Sequence, residues 1–497
     1  MLNEITKSKK MERFKWIATL SLLSMGQAIA DEQPNVLIIH TDEHSFRTLG
    51  CYREFLPDGQ ASPWGEKCVV ETPNIDYIAK QGVLFTRCYA TTPVSSPSRA
   101  SFMTGLYPQN AGVYTNDMVL NEQALTFGEI FRRHGYETGY IGKLHLNGVG
   151  RPEWHPTRDF GFTDNRYMYN RGHWKKVVGM DEEVDFDQKA KIQTTDSLSF
   201  TTDFLTNRAI EFIEQHKEKP FCCMLSLPDP HGPNLVRTPY DNLYASLSFD
   251  RPASSRKDTT GLPAWSHGNG QRGDRMENMV AYFGMVKCID DNIGRLLKAL
   301  RDNGILNNTI IVFTSDHGDL CGEHGLVNKG VPLDGSARVP FIISYPVEMA
   351  KGLKVDNVMS VVDFTPSLLS FCGMESPMKY EGRDLSVLWK GKALPANLDD
   401  AVFMRAITSK KVNNNANRAM WVSVVTSRYK LTLSENVSDT PWLTDMEKDP
   451  DELVNCYGDP NYRETVVWLK KKLIEYGTRF KDPRIRNSKI EKELMDK

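Results

Sequence analysis

Five short, nearly continuous apolar runs punctuate this chain: Val36–Thr41, Thr138–Ile141, Phe221–Leu227, Thr309–Thr314 and Phe341–Tyr345. They lack the apolar-polar alternation of a half-exposed strand, so each reads as a strand buried on both faces. Between them lie segments with helical spacing. One is Leu125–His134, stopped by Gly135; another is Met279–Leu300, where Val280, Phe283, Val286, Ile289, Ile293, Leu296, Leu297 and Leu300 follow 3-4 spacing. Buried strands alternating with amphipathic helices specify an α/β fold, a mostly parallel central sheet sandwiched by helices. Residues 235–275 are rich in Pro, Ser, Gly and charge and read as a surface insertion. After about residue 376 the pattern changes. Ala419–Val425 and Tyr429–Leu433 are short strands, followed by an Asp-rich turn and a helix near Tyr462–Tyr476. The expected organisation is a large α/β domain over 31–375 and a small C-terminal antiparallel α+β subdomain over 376–497.

The first 30 residues read as an address. Lys7, Lys9, Lys10, Arg13 and Lys15 precede the apolar stretch Trp16–Met25, and Ala28-Ile29-Ala30 offers small residues before Asp31. This is the layout of a secretory signal peptide, too short to span a membrane. No Cys follows the cleavage point, and no other run approaches the roughly 18 apolar residues of a membrane helix, so the expected product carries no membrane anchor and is periplasmic or secreted. With 61 basic and 63 acidic residues, the chain has no positive excess for nucleic acid. Nine Cys in 497 residues make no disulfide framework, and Cys222-Cys223, inside an apolar run, read as packing residues.

The residues just past the strand ends constrain function. Val36–Thr41 runs into Asp42-Glu43, and Thr138–Ile141 into Gly142-Lys143-Leu144-His145. Phe221–Leu227 runs into Asp229-Pro230-His231-Gly232-Pro233, and Thr309–Ser315 into Asp316-His317-Gly318. Open parallel sheets bind ligands beyond the carboxyl ends of their strands. Each motif alone fits a turn or a cap. Together, Asp42, Glu43, Asp316 and His317 offer three carboxylates and an imidazole, a set suited to a hard cation, calcium before magnesium. His145 and His231, both after strand ends, are candidates for proton transfer. Ser95-Ser96-Pro97-Ser98-Arg99-Ala100-Ser101-Phe102-Met103-Thr104-Gly105 describes a helix start; its N-terminus with Arg99 favours an anion, or else simply caps the helix.

These residues resemble the type I sulfatase family within the alkaline phosphatase superfamily. Ser95-Ser96-Pro97-Ser98-Arg99 through Thr104-Gly105 matches its signature, with Ser95 where other members have Cys. Gly142-Lys143-Leu144-His145-Leu146 is similar to the family's Gly-Lys-Trp-His-Leu, and Pro230-His231-Gly232-Pro233 to its Pro-His-x-Pro. Asp316-His317-Gly318 with Gly322, His324 and Gly325 resembles the second metal block, with His317 where some members have Asn. Lys329-Gly330, Gly335-Ser336 and Arg338-Val339-Pro340 come next in family order, with Asp334 where Glu is commoner, and Asp445–Pro450 resembles the closing motif.

The resemblance implies that Ser95 is oxidised to formylglycine by a radical maturase, as in Ser-type bacterial members, and that its hydrate attacks sulfur. It implies calcium, with magnesium second, held by Asp42, Glu43, Asp316 and His317 together with residue 95. Arg99 would hold the formylglycine hydroxyl, Asp316 would be the base for the hydrate, and Lys143, His145, His231 and Lys329 would surround the sulfate. His231 would protonate the leaving oxygen and His145 would break down the sulfated hemiacetal. The expected substrate is a sulfated carbohydrate: a glycosaminoglycan, mucin or algal polysaccharide fragment. Asp164–Lys175 is the expected source of sugar contacts, Arg166 and His173 among them; the alternative is a folded surface loop with buried Tyr and Trp. Two other functions remain open from sequence: a phosphatase or phosphonate monoester hydrolase of the same superfamily, and a non-catalytic glycan-binding relic.

Overall fold

The computed structural model describes residues 33–255, 261–267, 273, 275–407 and 420–496. The expected signal peptide, 1–30, lies outside them. The large sheet is built from β1 (Asn35–Asp42), β2 (Val83–Tyr89), β3 (Glu137–Lys143) and β4 (Met168–Tyr169). A two-stranded ribbon, β5 (Val177–Val178) with β6 (Asp185–Phe186), stands apart. The sheet continues with β7 (Phe221–Pro230), β8 (Thr309–Ser315), β9 (Arg338–Ser344), β10 (Leu353–Val355) and β11 (Met359–Ser360). Its order is β10-β2-β9-β8-β1-β7-β3-β4, with β11 also on β2.

The four strands with reactive ends are therefore consecutive neighbours, β8-β1-β7-β3, and all are parallel. β1 is central, with Val36 opposite Cys222 on one side and Ile310 on the other. Every residue of β1, β7 and β8 is buried, as their nearly continuous apolar runs lead one to expect, and the polar residues at their carboxyl ends are buried with them. Each fully buried Val, Leu or Ile contributes about 1.5–3 kcal/mol. One strand departs from the parallel expectation: β9, over the fifth apolar run, is antiparallel to both β8 and β2. Its composition encodes burial but not direction.

Helices Phe127–Arg133 and Met279–Asp302 match the helical spacing, and with Thr201–His216, which is not read from the sequence, they cover the sheet. The first opens with a capping box, Thr126 and Glu129 each bonding the other's backbone amide. The described part of 235–275 is more than a surface insertion. Val236, Tyr240, Tyr244 and Trp265 are buried, and Tyr240 donates to Asp291 of helix Met279–Asp302 at 3.0 Å. All nine cysteines are free. Among the described residues, no helix is long and apolar enough to cross a membrane.

The C-terminal unit is an antiparallel sheet in the order β12 (Ala401–Arg405), β13 (Trp421–Thr426), β14 (Tyr429–Ser434), β15 (Trp442–Asp445). Helix Arg463–Phe480 packs on it through Val466, Leu469, Leu473 and Tyr476, with helix Ser488–Met495 beside it. Upstream, Leu385, Leu388 and Trp389 belong to the core of the large sheet, so the second sheet begins only at Ala401.

The helix that comes after β2, Ser95–Thr104, is buried along its whole length. It stops at Gly105, whose left-handed φ of 67° lets its amide reach the Ser101 carbonyl at 2.9 Å. A Cβ there would lie 2.8 Å from Tyr380 Cδ1. Gly105→Ala is therefore expected to cost about 1–2 kcal/mol from the left-handed backbone alone, with a further contribution from the clash. The measurement is thermal unfolding; an unchanged melting temperature would contradict this packing.

Candidate active site

Asp42, Lys143, His231 and Asp316 emerge from the carboxyl ends of β1, β3, β7 and β8, and the start of helix Ser95–Thr104 is brought to the same edge. Arg99, 1% exposed, ties these elements together. Its Nε donates to Asp316 Oδ2 at 2.9 Å and one terminal nitrogen to Asp42 Oδ2 at 3.1 Å. The other donates to the Lys143 carbonyl at 3.0 Å and to Ser226 Oγ at 2.7 Å. Ser98 Oγ donates to the Asp316 carbonyl at 2.5 Å. The serines of this helix start are not caps: position 94 holds the cap and no side chain bonds there. Ser95 instead points its Oγ at His317 Nε2, 3.0 Å away.

A second ring of cations and imidazoles faces this cluster. Lys143 Nζ contacts Asp42 and donates to His173 Nε2 at 2.7 Å. His173 stacks flat on His231, ring centroids 3.6 Å apart. His231 Nε2 lies 2.8 Å from Lys329 Nζ and 3.0 Å from Glu43 Oε2, and Lys329 also pairs with Glu43 at 2.9 Å. His231 Nδ1 meets the Gly232 carbonyl at 2.7 Å and His317 Nδ1 the Gly318 carbonyl at 3.0 Å. A carbonyl only accepts, so both rings carry their proton on Nδ1 and present a lone pair on Nε2. Glu43 and His145 both adopt left-handed backbone, φ 62° and 61°. Strain of this kind in non-glycine residues collects where function needs an over-determined geometry.

Burial opposes ionisation of Asp42, yet Lys143, His173, His231 and Arg99 hold its carboxyl well below the usual range. Glu43 is different: burial pushes it up to about 8, and Lys329 only partly offsets this. Burial lowers His317 and His145 to about 4 and His173 and His231 well below their ordinary value, so these imidazoles are neutral.

The donor set fits a divalent cation. Asp42, Asp316 and His317 bring ligand atoms within 4.8 Å of one another. Asp42 Oδ1 and Glu43 Oε1 are buried with no hydrogen-bond partner, and the backbone N–H of Glu43 donates to Asp316 Oδ1 at 3.1 Å. A buried carboxylate oxygen without a donor is costly unless a cation meets it. A second grouping, Asp42 with His173 and His231, is also close enough to ligate, but it shares its space with Lys143 and Lys329.

Of the residues expected from sequence, Ser95, Arg99, Lys143, His231, Lys329, His173, Asp42, Glu43, Asp316 and His317 thus form one connected cluster. Arg166 does not join it. It lies at the start of the segment that leads into β4, half exposed, and forks onto Asp164 at 2.9 and 3.1 Å. The cluster draws on the carboxyl end of that strand, beyond Tyr169, through His173. Tyr167 and Tyr169 are buried in the core, and Asn170 is spent on the carbonyls of Gly148 and Gly150. Within 164–175, sequence reasoning did not single out Lys175, which is buried and donates to Asp229 at 2.5 Å and to the His231 carbonyl at 2.8 Å. It clamps the loop that carries His231. It also missed Asp117, which meets His145 Nε2 at 3.3 Å.

The chain has known relatives. A family model described as Sulfatase matches residues 34–374, and one described as N-sulphoglucosamine sulphohydrolase, C-terminal, matches 322–479. The chain belongs to the sulfatase family and is a sulfuric ester hydrolase, a family that generally uses formylglycine and a divalent metal. An N-acetylglucosamine-6-O-sulfatase of Bacteroides thetaiotaomicron is 28% identical, across 99% of this chain and 94% of that protein. An ulvan-active sulfatase of Formosa agariphila is 30% identical, across 90% and 83%. A solved structure in complex with its substrate D-glucosamine-2-N,6-O-disulfate superposes with a TM-score of 0.75 at 25% identity, covering 93% of this chain and all of that one.

Proposed function

We propose that this chain is an exported sulfatase that removes sulfate from carbohydrates, using calcium and a formylglycine made from Ser95. The observation that carries the reading is Ser95 Oγ at 3.0 Å from His317 Nε2, at a helix start pinned by Arg99 to both Asp42 and Asp316. The relatives that act on sulfated N-acetylglucosamine, ulvan and a glucosamine disulfate support a glycan substrate.

Asp42, Glu43, Asp316 and His317 would hold the calcium ion, with residue 95 beside it. Oxygen-rich ligation favours this hard cation, which would draw electron density from the sulfate oxygens. The formylglycine, as its hydrate, would supply the nucleophile for sulfur. The protein's own groups do the rest. Lys143 and Lys329 face the same space and neutralise the sulfate oxygens as charge shifts toward the leaving group. Arg99 fixes the orientation of Asp42 and Asp316. His231 would deliver the proton to the leaving oxygen from Nε2 in its imidazolium form, which the bound anionic sulfate favours, while Lys329 at 2.8 Å stays charged beside it. His145 takes up a proton in the half of turnover that releases sulfate. The exported chain would meet its maturase before leaving the cytoplasm.

A site this crowded by charged side chains admits a chain end better than a chain interior, so action is expected at the ends of sulfated oligosaccharides. The test compares kcat/KM on an aryl sulfate, an aryl phosphate and a panel of sulfated mono-, di- and oligosaccharides. The expected order places a saccharide first and the aryl sulfate well behind, because remote sugar contacts contribute to transition-state binding. If the aryl sulfate is best and no saccharide is desulfated, the carbohydrate reading fails. Preference for the phosphate would assign a phosphatase.

A further inference from the structure

Asn116 and Asp117 form a turn that touches both ends of the chemistry. The Asn116 side chain accepts the backbone N–H of Ser96, next to the nucleophile, at 3.0 Å. Asp117 adopts a left-handed φ of 67°. An aspartate tolerates that backbone better than most residues, yet it remains uncommon outside glycine. The conformation turns the Asp117 carboxylate toward His145, whose Nε2 lies 3.3 Å from Oδ1. Arg171 contacts the same Oδ1. His145 itself is held in left-handed backbone, is buried, and leaves its Nδ1 without a hydrogen-bond partner.

A carboxylate accepts hydrogen bonds and does not donate them. The contact to Asp117 therefore fixes the proton of a neutral His145 on Nε2 and leaves the lone pair on Nδ1. This is the reverse of His231 and His317, whose Nδ1 protons are fixed by backbone carbonyls. The three imidazoles are thus held in two opposite tautomers by three different acceptors. Arg171 orients the carboxylate, and the 116–117 turn links that orientation to the start of helix Ser95–Thr104.

We infer that Asp117 is a positioning residue that locks His145 in the Nε2–H tautomer, so that Nδ1 is the atom that accepts a proton during sulfate release. The inference rests on the role given to His145 in the proposed function. It adds which nitrogen works and which residue decides it. A structural role for Asp117 would affect stability and every step alike, whereas a tautomer lock acts only through His145.

The experiment uses the full-length matured enzyme labelled with 15N-histidine. The His145 ring signals are identified by their loss in His145→Ala, and their shifts report the tautomer directly. The expected wild-type result is Nε2–H, changing to a mixture in Asp117→Ala. Turnover of a sulfated saccharide by Asp117→Ala should fall roughly 100-fold in kcat, within the span of general acid–base effects, with KM changed less than about threefold. Adding Asp117→Ala to His145→Ala should cost nothing further, since residues that act as a unit are not additive. Asp117→Asn keeps the shared Oδ1 acceptor and tolerates the backbone, so it should restore both tautomer and most of the rate. An Nδ1–H wild type, an unchanged tautomer in Asp117→Ala, an additive loss in the double variant, or an Asn variant as poor as Ala would each overturn the inference. A wild-type enzyme that releases sulfate from no ester would instead overturn the proposed function, and the tautomer signals would still decide the role of Asp117.

Discussion

Ser95→Ala is expected to abolish sulfate release while leaving a folded protein that still binds its saccharide. The Ser95 hydroxyl makes its hydrogen bond to His317 Nε2 and takes no part in capping the helix. Removing it deletes no core volume beyond one oxygen and leaves Arg99, Lys143 and Lys329 in place. The loss in kcat should be on the order of 10⁴-fold or more, as for other covalent nucleophiles. The melting temperature should move by no more than a degree or two. Calorimetric titration with the preferred sulfated saccharide checks that binding persists. Substantial turnover by the Ala variant would remove Ser95 from the chemistry.

Asp316→Ala is expected to be worse for the protein, because this carboxylate does two jobs. Its Oδ1 accepts the backbone N–H of Glu43 at 3.1 Å and of His317 at 2.9 Å, and its Oδ2 pairs with Arg99 at 2.9 Å. Burial resists ionisation here, but His317, Arg99 and Lys143 hold the carboxyl well below its usual range, although the neighbouring Asp42 opposes this. Deleting one partner of a buried ion pair costs about 3–5 kcal/mol, since the remaining charge stays buried. The variant should therefore lose bound divalent metal and activity together and unfold at a clearly lower temperature. Elemental analysis and thermal unfolding of the two proteins side by side measure this. A variant that kept stoichiometric metal would show that Asp316 is not a ligand.

Much of the site is legible in the sequence because it is written at strand ends. Continuous apolar runs identify buried strands, and the residue after each run falls at the sheet edge. Asp42, Lys143, His231 and Asp316 then converge once β8, β1, β7 and β3 lie side by side. The reversed direction of β9 is not written there, because a fully buried strand has the same composition in either sense. Nor are the supporting residues. Asp117 and Lys175 reach His145 and His231 only through tertiary approach, Asp117 from an ordinary turn and Lys175 from the last position of the 164–175 segment. In the segment 164–175 packing takes up part of what the composition offers. Its aromatic and polar residues suit a sugar, but Tyr167 and Tyr169 are used for packing and Arg166 faces Asp164. Only His173 of the two substrate-contact residues singled out there reaches the cluster, by stacking on His231. Side-chain direction, which the sequence does not carry, separates the two outcomes.

The proposed function makes Ser95 the nucleophile. It is tested most directly by the mass of the tryptic peptide 88–99 from enzyme purified, with demonstrated sulfate release, from anaerobically grown native cells. The expected peptide is lighter by two hydrogens than the encoded sequence, with fragmentation placing the difference at residue 95 and a modified fraction that rises in proportion to specific activity. A fully active preparation in which residue 95 is unmodified serine would contradict it.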